Sequence, residues 1–218
     1  RGVPDDVSIT FEDVSFGYGE AKVLEGVDLE FPARSVSALV GPSGSGKSTI
    51  VRLIARFWDV DSGCVRIGGV ALQNIPTADL LGCMSMVFQD VYLFHDTIEA
   101  NIRMGRAGAT HEEVVDAAQR AACHDFIMSL PDGYRTMVGE GGSTLSGGEA
   151  QRISIARAIL KDAPIIIFDE VTANVDPENE DRLQQAIEAL TQDKTVIMIA
   201  HRLNTVRNAA QILVVADG

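Results

Sequence analysis

Long apolar stretches are missing from this sequence of 218 residues. Runs such as Ile165 to Phe168 and Ile212 to Ala216 fall far short of the roughly 18–20 residues that a membrane-crossing helix needs. The first residues, Arg1 to Asp6, are polar and hold no signal-peptide core. Cysteine is scarce. Cys64, Cys83 and Cys123 are scattered, odd in number and form no C-x-x-C pair, which predicts reduced thiols with packing roles in a cytosolic domain. Positive charge is also short, with 18 Lys and Arg against 31 Asp and Glu for a net charge of −13. That deficit argues against non-specific binding to nucleic acid or an anionic membrane. It leaves a phosphate ligand open, because a local nest of backbone N–H groups can overcome a negative global field. Internal repeats and low-complexity tracts are absent too.

What is present describes a folded α/β chain. A hydrophobic content of 46% with 22% charged residues excludes disorder, and the length suffices for a sizeable core without disulfides or metal. Ile9 and Phe11 alternate with Ser8 and Thr10, and Val27, Leu29 and Phe31 alternate with Asp28 and Glu30 before Pro32 ends the run. Val65 to Ile67 and Val70 to Leu72 flank Gly68-Gly69 as a hairpin would. These pieces predict an N-terminal antiparallel β layer. Val36 to Val40, Met84 to Phe88, Ile165 to Phe168, Val196 to Ala200 and Ile212 to Val215 are instead short, continuous apolar runs. Strands buried on both faces look like this, which predicts a mostly parallel sheet between helices.

Three helices announce themselves. Ile50, Leu53, Ile54 and Phe57 make an apolar stripe after Gly46. Asp176 and Pro177 read as N-cap and first residue of a helix through Leu183, Ile187 and Leu190. Thr110 and Glu113 form a capping box for a helix through Val114, Val115, Ala118 and Ala122. With a turn at Pro131-Asp132-Gly133 and a loop over Gly139 to Gly142, the segment from roughly 89 to 148 reads as a helical subdomain inserted in the α/β core.

Gly41-Pro42-Ser43-Gly44-Ser45-Gly46-Lys47-Ser48 fits G-x-x-x-x-G-K-[ST] in full, follows an apolar strand and opens a helix that continues with Thr49. Gly41, Gly44 and Gly46 let the backbone curl so that successive N–H groups face a phosphate at a helix N-terminus, and Ser43 within the loop is a further candidate for the nucleotide. Lys47 adds charge to the β- and γ-phosphates, and the Ser48 hydroxyl is a candidate Mg²⁺ ligand. The pattern is that of a P-loop NTPase core. Ile165 to Phe168 ends in Asp169 and Glu170, where such folds keep their ligands. Asp169 is a candidate for holding Mg²⁺ or its water, and Glu170 for orienting and polarising an attacking water. Two solvated carboxylates at a strand end are the alternative; the intact loop favours the metal and the water.

Leu145-Ser146-Gly147-Gly148-Glu149 contains a capping box, Ser146 with Glu149, for a helix through Ile153, Ala156 and Ile159. It also resembles the signature motif of ABC-transporter nucleotide-binding domains, and a capped helix start with two glycines suits an anion. The resemblance covers essentially the whole chain. Gln89 matches the Q-loop glutamine, Asp176 the D-loop aspartate, His201 the switch histidine, and Tyr18 the aromatic that stacks on adenine. A lone histidine after an apolar strand is more often structural, and a tyrosine in an exposed turn needs no ligand. The order of the motifs argues for function in both.

Thr136 to Leu145, with Gly139-Glu140-Gly141 before the signature, resembles the X-loop of the exporter branch, as do Gln89 to Phe94 and Ile199 to Leu203. Two features depart from the family pattern. Glu149 stands where glutamine is commoner, and Val171 to Asp176 lacks the usual serine of the D-loop and carries Asn174. His95, His111 and His124 show no metal spacing.

The resemblance implies ATP and Mg²⁺ as ligands, with Tyr18, the phosphate loop, Gln89, Ser146, Gly147, Gly148 and Asp176 on the nucleotide. Ser48, Gln89 and Asp169 fall on the metal, and Glu170 and His201 on catalysis. It also implies a head-to-tail pair with a second such domain, identical or not, and a transmembrane domain on the same transporter at the cytoplasmic face of the membrane. On that reading the polar start and the stop at Gly218 look like the ends of a fragment. A soluble relative acting on nucleic acid or the ribosome, and a regulatory module without turnover, are the rival readings. The net charge weighs against the first, and Glu170 with His201 against the second.

Overall fold

The computed structural model describes residues 6–42, 44–88, 90–140, 144–169, 177–200, 209 and 211–216. They cluster into two compact units, one of 1–86, 164–170 and 193–218, the other of 87–163 and 171–192.

The first unit carries two sheets. β1 (Ile9–Tyr18) pairs antiparallel with β2 (Ala21–Phe31) and with β4 (Ser62–Ile67), and β5 (Val70–Ala71) closes the order β2-β1-β4-β5. The second sheet runs β11-β3-β10-β9-β6, from β3 (Val36–Val40), β6 (Met84–Val87), β9 (Ile165–Asp169), β10 (Thr195–Ala200) and β11 (Gln211–Val214). β10 is parallel to both β3 and β9, and β11 is parallel to β3. The alternating strands thus form the antiparallel layer and the continuous apolar runs the parallel one. Ile9, Phe11 and Phe31 from the first sheet share a core with Leu39, Ile165 and Ile197 from the second. Ile50, Leu53 and Ile54 of α1 (Lys47–Ile54) complete it.

α1 is shorter than its stripe suggests. Arg56 turns left-handed at φ 57°, and the Phe57 N–H donates to the Arg52 carbonyl at 2.9 Å, closing the helix end. Phe57 therefore lies beyond the helix and is 55% exposed, not on its core face. A short α2 (Thr77–Gly82) precedes β6.

The second unit is helical: α3 (Ile98–Arg103), α4 (His111–Arg120), α5 (His124–Ser129), α6 (Gly147–Lys161) and α7 (Pro177–Thr191). α6 is its central element, packed by α3, α4 and α7, with Ile153, Ile155 and Ala156 buried. The capping box of α4 forms as its sequence predicts, whereas Ala122 falls past the helix end with φ 54°. A small antiparallel pair, β7 (Asp96–Thr97) with β8 (Met137–Val138), holds the ends of this unit's loops. Among the described residues, no helix is long and apolar enough to cross a membrane. Among the described residues the three cysteines form no disulfide, and Cys83 and Cys123 are buried.

Candidate functional site

The loop from β3 to α1 is built for an anion. β3 runs buried into it, and the chain then turns through left-handed Gly44 (φ 80°) and Gly46 (φ 108°), the second serving as N-cap of α1. A side chain at Gly46 would be strained in that conformation and would bring its Cβ to 3.3 Å from Leu24 Cδ2. α1 has no side-chain cap and no acidic residue in its first turn, so its leading amides face the loop with the helix's positive end behind them. Lys47 is 6% exposed and its Nζ donates to the Gly41 carbonyl at 2.6 Å. Ser45 Oγ is buried and, among the described residues, has no hydrogen-bond partner. A buried hydroxyl without a partner is costly. Beside uncapped amides and a buried ammonium, it fits a phosphate held in the loop.

Tyr18, Gly46, Lys47, Ser48, Thr49 and Asp169 line one cleft of about 360 Å³, together with Gly44 and Arg52. Residues drawn from β1, the loop, α1 and the end of β9 thus line one cleft. Tyr18 is held from two directions. Its hydroxyl lies 3.3 Å from Thr49 Oγ1 and accepts from Arg52 Nη1 at 3.2 Å. Its ring meets Phe16 edge-on at 5.0 Å and Trp58 edge-on at 5.8 Å. The hydrogen bond with Thr49, aided by Arg52, pulls its pKa below the usual phenol value. Ser48 is exposed and Asp169 half-buried. A hydroxyl and a carboxylate are hard oxygen donors of the kind Mg²⁺ takes beside phosphate. Among the described residues no cluster of three or more His, Cys, Asp or Glu could hold a metal.

In the second unit the signature segment opens α6. Ser146 Oγ accepts from the Glu149 N–H at 3.2 Å and Glu149 Oε1 accepts from the Ser146 N–H at 3.0 Å, a reciprocal cap. The Glu149 carboxylate is thereby turned onto its own helix start. Ser146 and Gly147 are exposed. Behind them Arg152 is 1% exposed. It donates to the Ala122 carbonyl at 2.5 Å and to the Gly148 carbonyl at 3.4 Å, and its guanidinium lies 5.4 Å from the Phe126 ring centre. Burial pulls its pKa down. This bracing of the signature turn has no sequence signal beyond the arginine itself. The same holds for Thr49 and Arg52 as supports of Tyr18.

Five candidate residues, Ser43, Gln89, Glu170, Asp176 and His201, lie outside the described residues, as does Gly141 of the X-loop-like segment. Their candidacy rests on the sequence motifs.

The ABC transporter family profile matches residues 24–173. The chain is 48% identical over 215 residues to an ATP-dependent lipid A-core flippase of Desulfotalea psychrophila, covering 99% of this chain and 38% of that protein. It is 49% identical over 211 residues to the human ATP-binding cassette sub-family B member 6, covering 96% of this chain and 25% of that one. A bacterial Atm1-family ABC exporter solved with ATP bound superposes with a TM-score of 0.91 at 45% identity, over 99% of this chain and 38% of the other. The chain spans well under half the length of these relatives. It belongs to the ABC transporter family, as a nucleotide-binding domain of the exporter type.

Proposed function

We propose that this domain binds ATP with Mg²⁺, hydrolyses it in a head-to-tail pair with a second such domain, and powers transport by a membrane-spanning partner. The single observation that carries the nucleotide reading is the cleft shared by Tyr18, the uncapped start of α1, Lys47, Ser48 and Asp169. Relatives described as a flippase and an exporter support transport across a membrane, and the proposal puts this domain at its cytoplasmic face.

The roles follow from the chemistry of each group. Tyr18 presents its ring to the adenine. The amides of Gly44 to Ser48, with Ser43 and Thr49, hold the phosphates, and Lys47 moves from the Gly41 carbonyl to the β- and γ-phosphate oxygens. Ser48, Asp169 and Gln89 would hold Mg²⁺. When bound, that ion neutralises charge on the phosphates. Glu170 accepts a proton from the water that attacks the γ-phosphorus, and the bond to the β–γ bridging oxygen breaks to release ADP. His201 contacts the γ-phosphate side of the site. Ser146, Gly147 and Gly148 face the nucleotide of the opposite domain, a second helix start offered to an anion, and Asp176 lies on the shared interface.

The test is phosphate release from the chain with ATP and Mg²⁺ over a range of protein concentrations. Turnover that rises faster than linearly with protein supports paired sites. ATP binding without phosphate release at any concentration overturns the reading.

A further inference from the structure

Asn101 on α3 is completely buried, and every hydrogen-bonding group of its side chain is used. Nδ2 donates to the carbonyls of Phe94 and Thr97, each at 3.0 Å. Oδ1 accepts from the Phe94 N–H at 2.9 Å and from Arg157 Nη2 at 3.2 Å. Arg157, on α6, also donates from Nε to the Asn101 carbonyl at 2.9 Å, and its guanidinium lies 6.0 Å from the Phe94 ring centre. One arginine and one asparagine therefore bind a single stretch of chain, Phe94 to Thr97, to two helices at once.

That stretch is gripped from its other side as well. Asp96 and Thr97 pair with Met137 and Val138, and the Ile98 N–H donates to the Thr136 carbonyl at 3.0 Å. A Cβ on Gly139 would collide with the Phe94 carbonyl, so the backbones touch there. Burial pulls the Arg157 pKa down, and among the described residues no carboxylate forms an ion pair with it. A buried cation spent on neutral acceptors adds little stability over an apolar side chain of similar volume. It does fix a geometry.

The chain position of this clamp matters. Phe94 to Thr97 follows Gln89 by a few residues, while α6 begins at the signature segment Ser146-Gly147-Gly148. We propose that Asn101 and Arg157 are positioning residues for ATP hydrolysis, locking the segment after Gln89 to the signature helix so that the two move as one piece. The inference rests on the functional reading above. A loosened clamp leaves the phosphate loop intact but lets the signature turn lag behind the chain that follows Gln89.

The experiment compares the wild-type chain with Arg157→Lys, which puts one ammonium nitrogen where Nε and Nη2 of a planar fork reach the Asn101 carbonyl and Oδ1 separately. Three quantities are measured: ATP sites and affinity by calorimetry, phosphate release per bound ATP at saturation, and hydrogen exchange of the Phe94 amide. The clamp predicts unchanged ATP affinity, Phe94 exchange faster by about tenfold with α6 still protected, and turnover per site lower by about fivefold without a matching rise in KM. A merely structural role lowers the number of ATP sites and leaves turnover per site untouched, which overturns the proposal. If Arg157→Lys does not fold, Asn101→Asp replaces it. That variant keeps the acceptor for Phe94 and Arg157 but loses both donations to the strap, and the same outcomes apply. Wild-type chain that binds ATP without releasing phosphate overturns the functional reading, and the positioning role with it.

Discussion

The Tyr18 hydroxyl, 3.3 Å from Thr49 Oγ1 and 3.2 Å from Arg52 Nη1, ties the end of β1 to the helix that starts at Lys47. The bonds hold the ring at the cleft, and on the proposed reading the ring is what meets a base. Tyr18→Ala should therefore weaken ATP binding about tenfold, since stacking is worth roughly 1–3 kcal/mol by alanine substitution and ~1.4 kcal/mol is a decade. Tyr18→Phe keeps the ring and its edge contacts with Phe16 and Trp58, and should stay within about threefold of wild type. Calorimetry with ATP reads both. Equal affinity in wild type and Tyr18→Ala would return the ring to a packing role.

Lys47→Ala should abolish useful ATP binding and spare the fold. Lys47 is buried beside the loop, and its internal contact is one hydrogen bond to the Gly41 carbonyl. Losing that bond costs the folded state about 1 kcal/mol, while a bound nucleotide loses the ammonium proposed to move onto its phosphates. Thermal melting should change little and calorimetry should show no saturable ATP binding. Micromolar affinity in the variant contradicts the role.

Much of this arrangement could be read from the sequence because its signals are local. The unbroken run of Ile165 to Phe168 marks a strand covered on both faces, and that burial is what the fold displays. Ser146 with Glu149 and Thr110 with Glu113 sit three residues apart, so each cap is complete within one turn. What escaped depends on contacts made at a distance. Tyr18 and Thr49 are 31 positions apart, and Asn101 and Arg157 are 56; no window along the chain contains either pair. The helices α3 and α5, of 6 residues each, are too short for a 3.6-residue period to show. Phe57 misled because its spacing suits the α1 stripe, while Arg56 has already turned the chain out of the helix. The Ser45 hydroxyl occupies a variable position of the motif, and only burial singles it out.

Gly147 offers a direct test of the paired arrangement. A Cβ built there meets nothing within 4 Å, and the residue is exposed at the first position of α6. Gly147→Trp should therefore leave the monomer folded and its ATP affinity unchanged, yet block a closed dimer. Analytical ultracentrifugation with ATP, beside calorimetry, separates the two. If the monomer loses nucleotide binding, the signature serves its own domain's nucleotide and the head-to-tail pairing is wrong.

Glu170→Gln bears on the chemistry itself. Glu170 follows Asp169, whose carboxylate ends β9 at the cleft. An amide there keeps the size of the side chain but cannot take a proton from water. Hydrolysis should slow by roughly 10²–10⁴, the usual worth of a positioned general base. ATP binding should survive, because the variant leaves in place Lys47, Ser48 and Asp169, the residues proposed for the phosphate and metal contacts. Removing one negative charge also lowers repulsion toward the γ-phosphate as two domains close, by an amount that grows as water leaves the interface. The variant should thus accumulate an ATP-bound dimer that the wild type forms only in passing. On the proposed reading a membrane-spanning partner raises the local concentration of the two domains, so the isolated chain needs high protein concentration for pairing. Size exclusion with ATP under those conditions should show the dimer in Glu170→Gln and little of it in wild type, while phosphate release falls. Turnover near the wild-type rate would remove Glu170 from the role of base, whatever the dimer does.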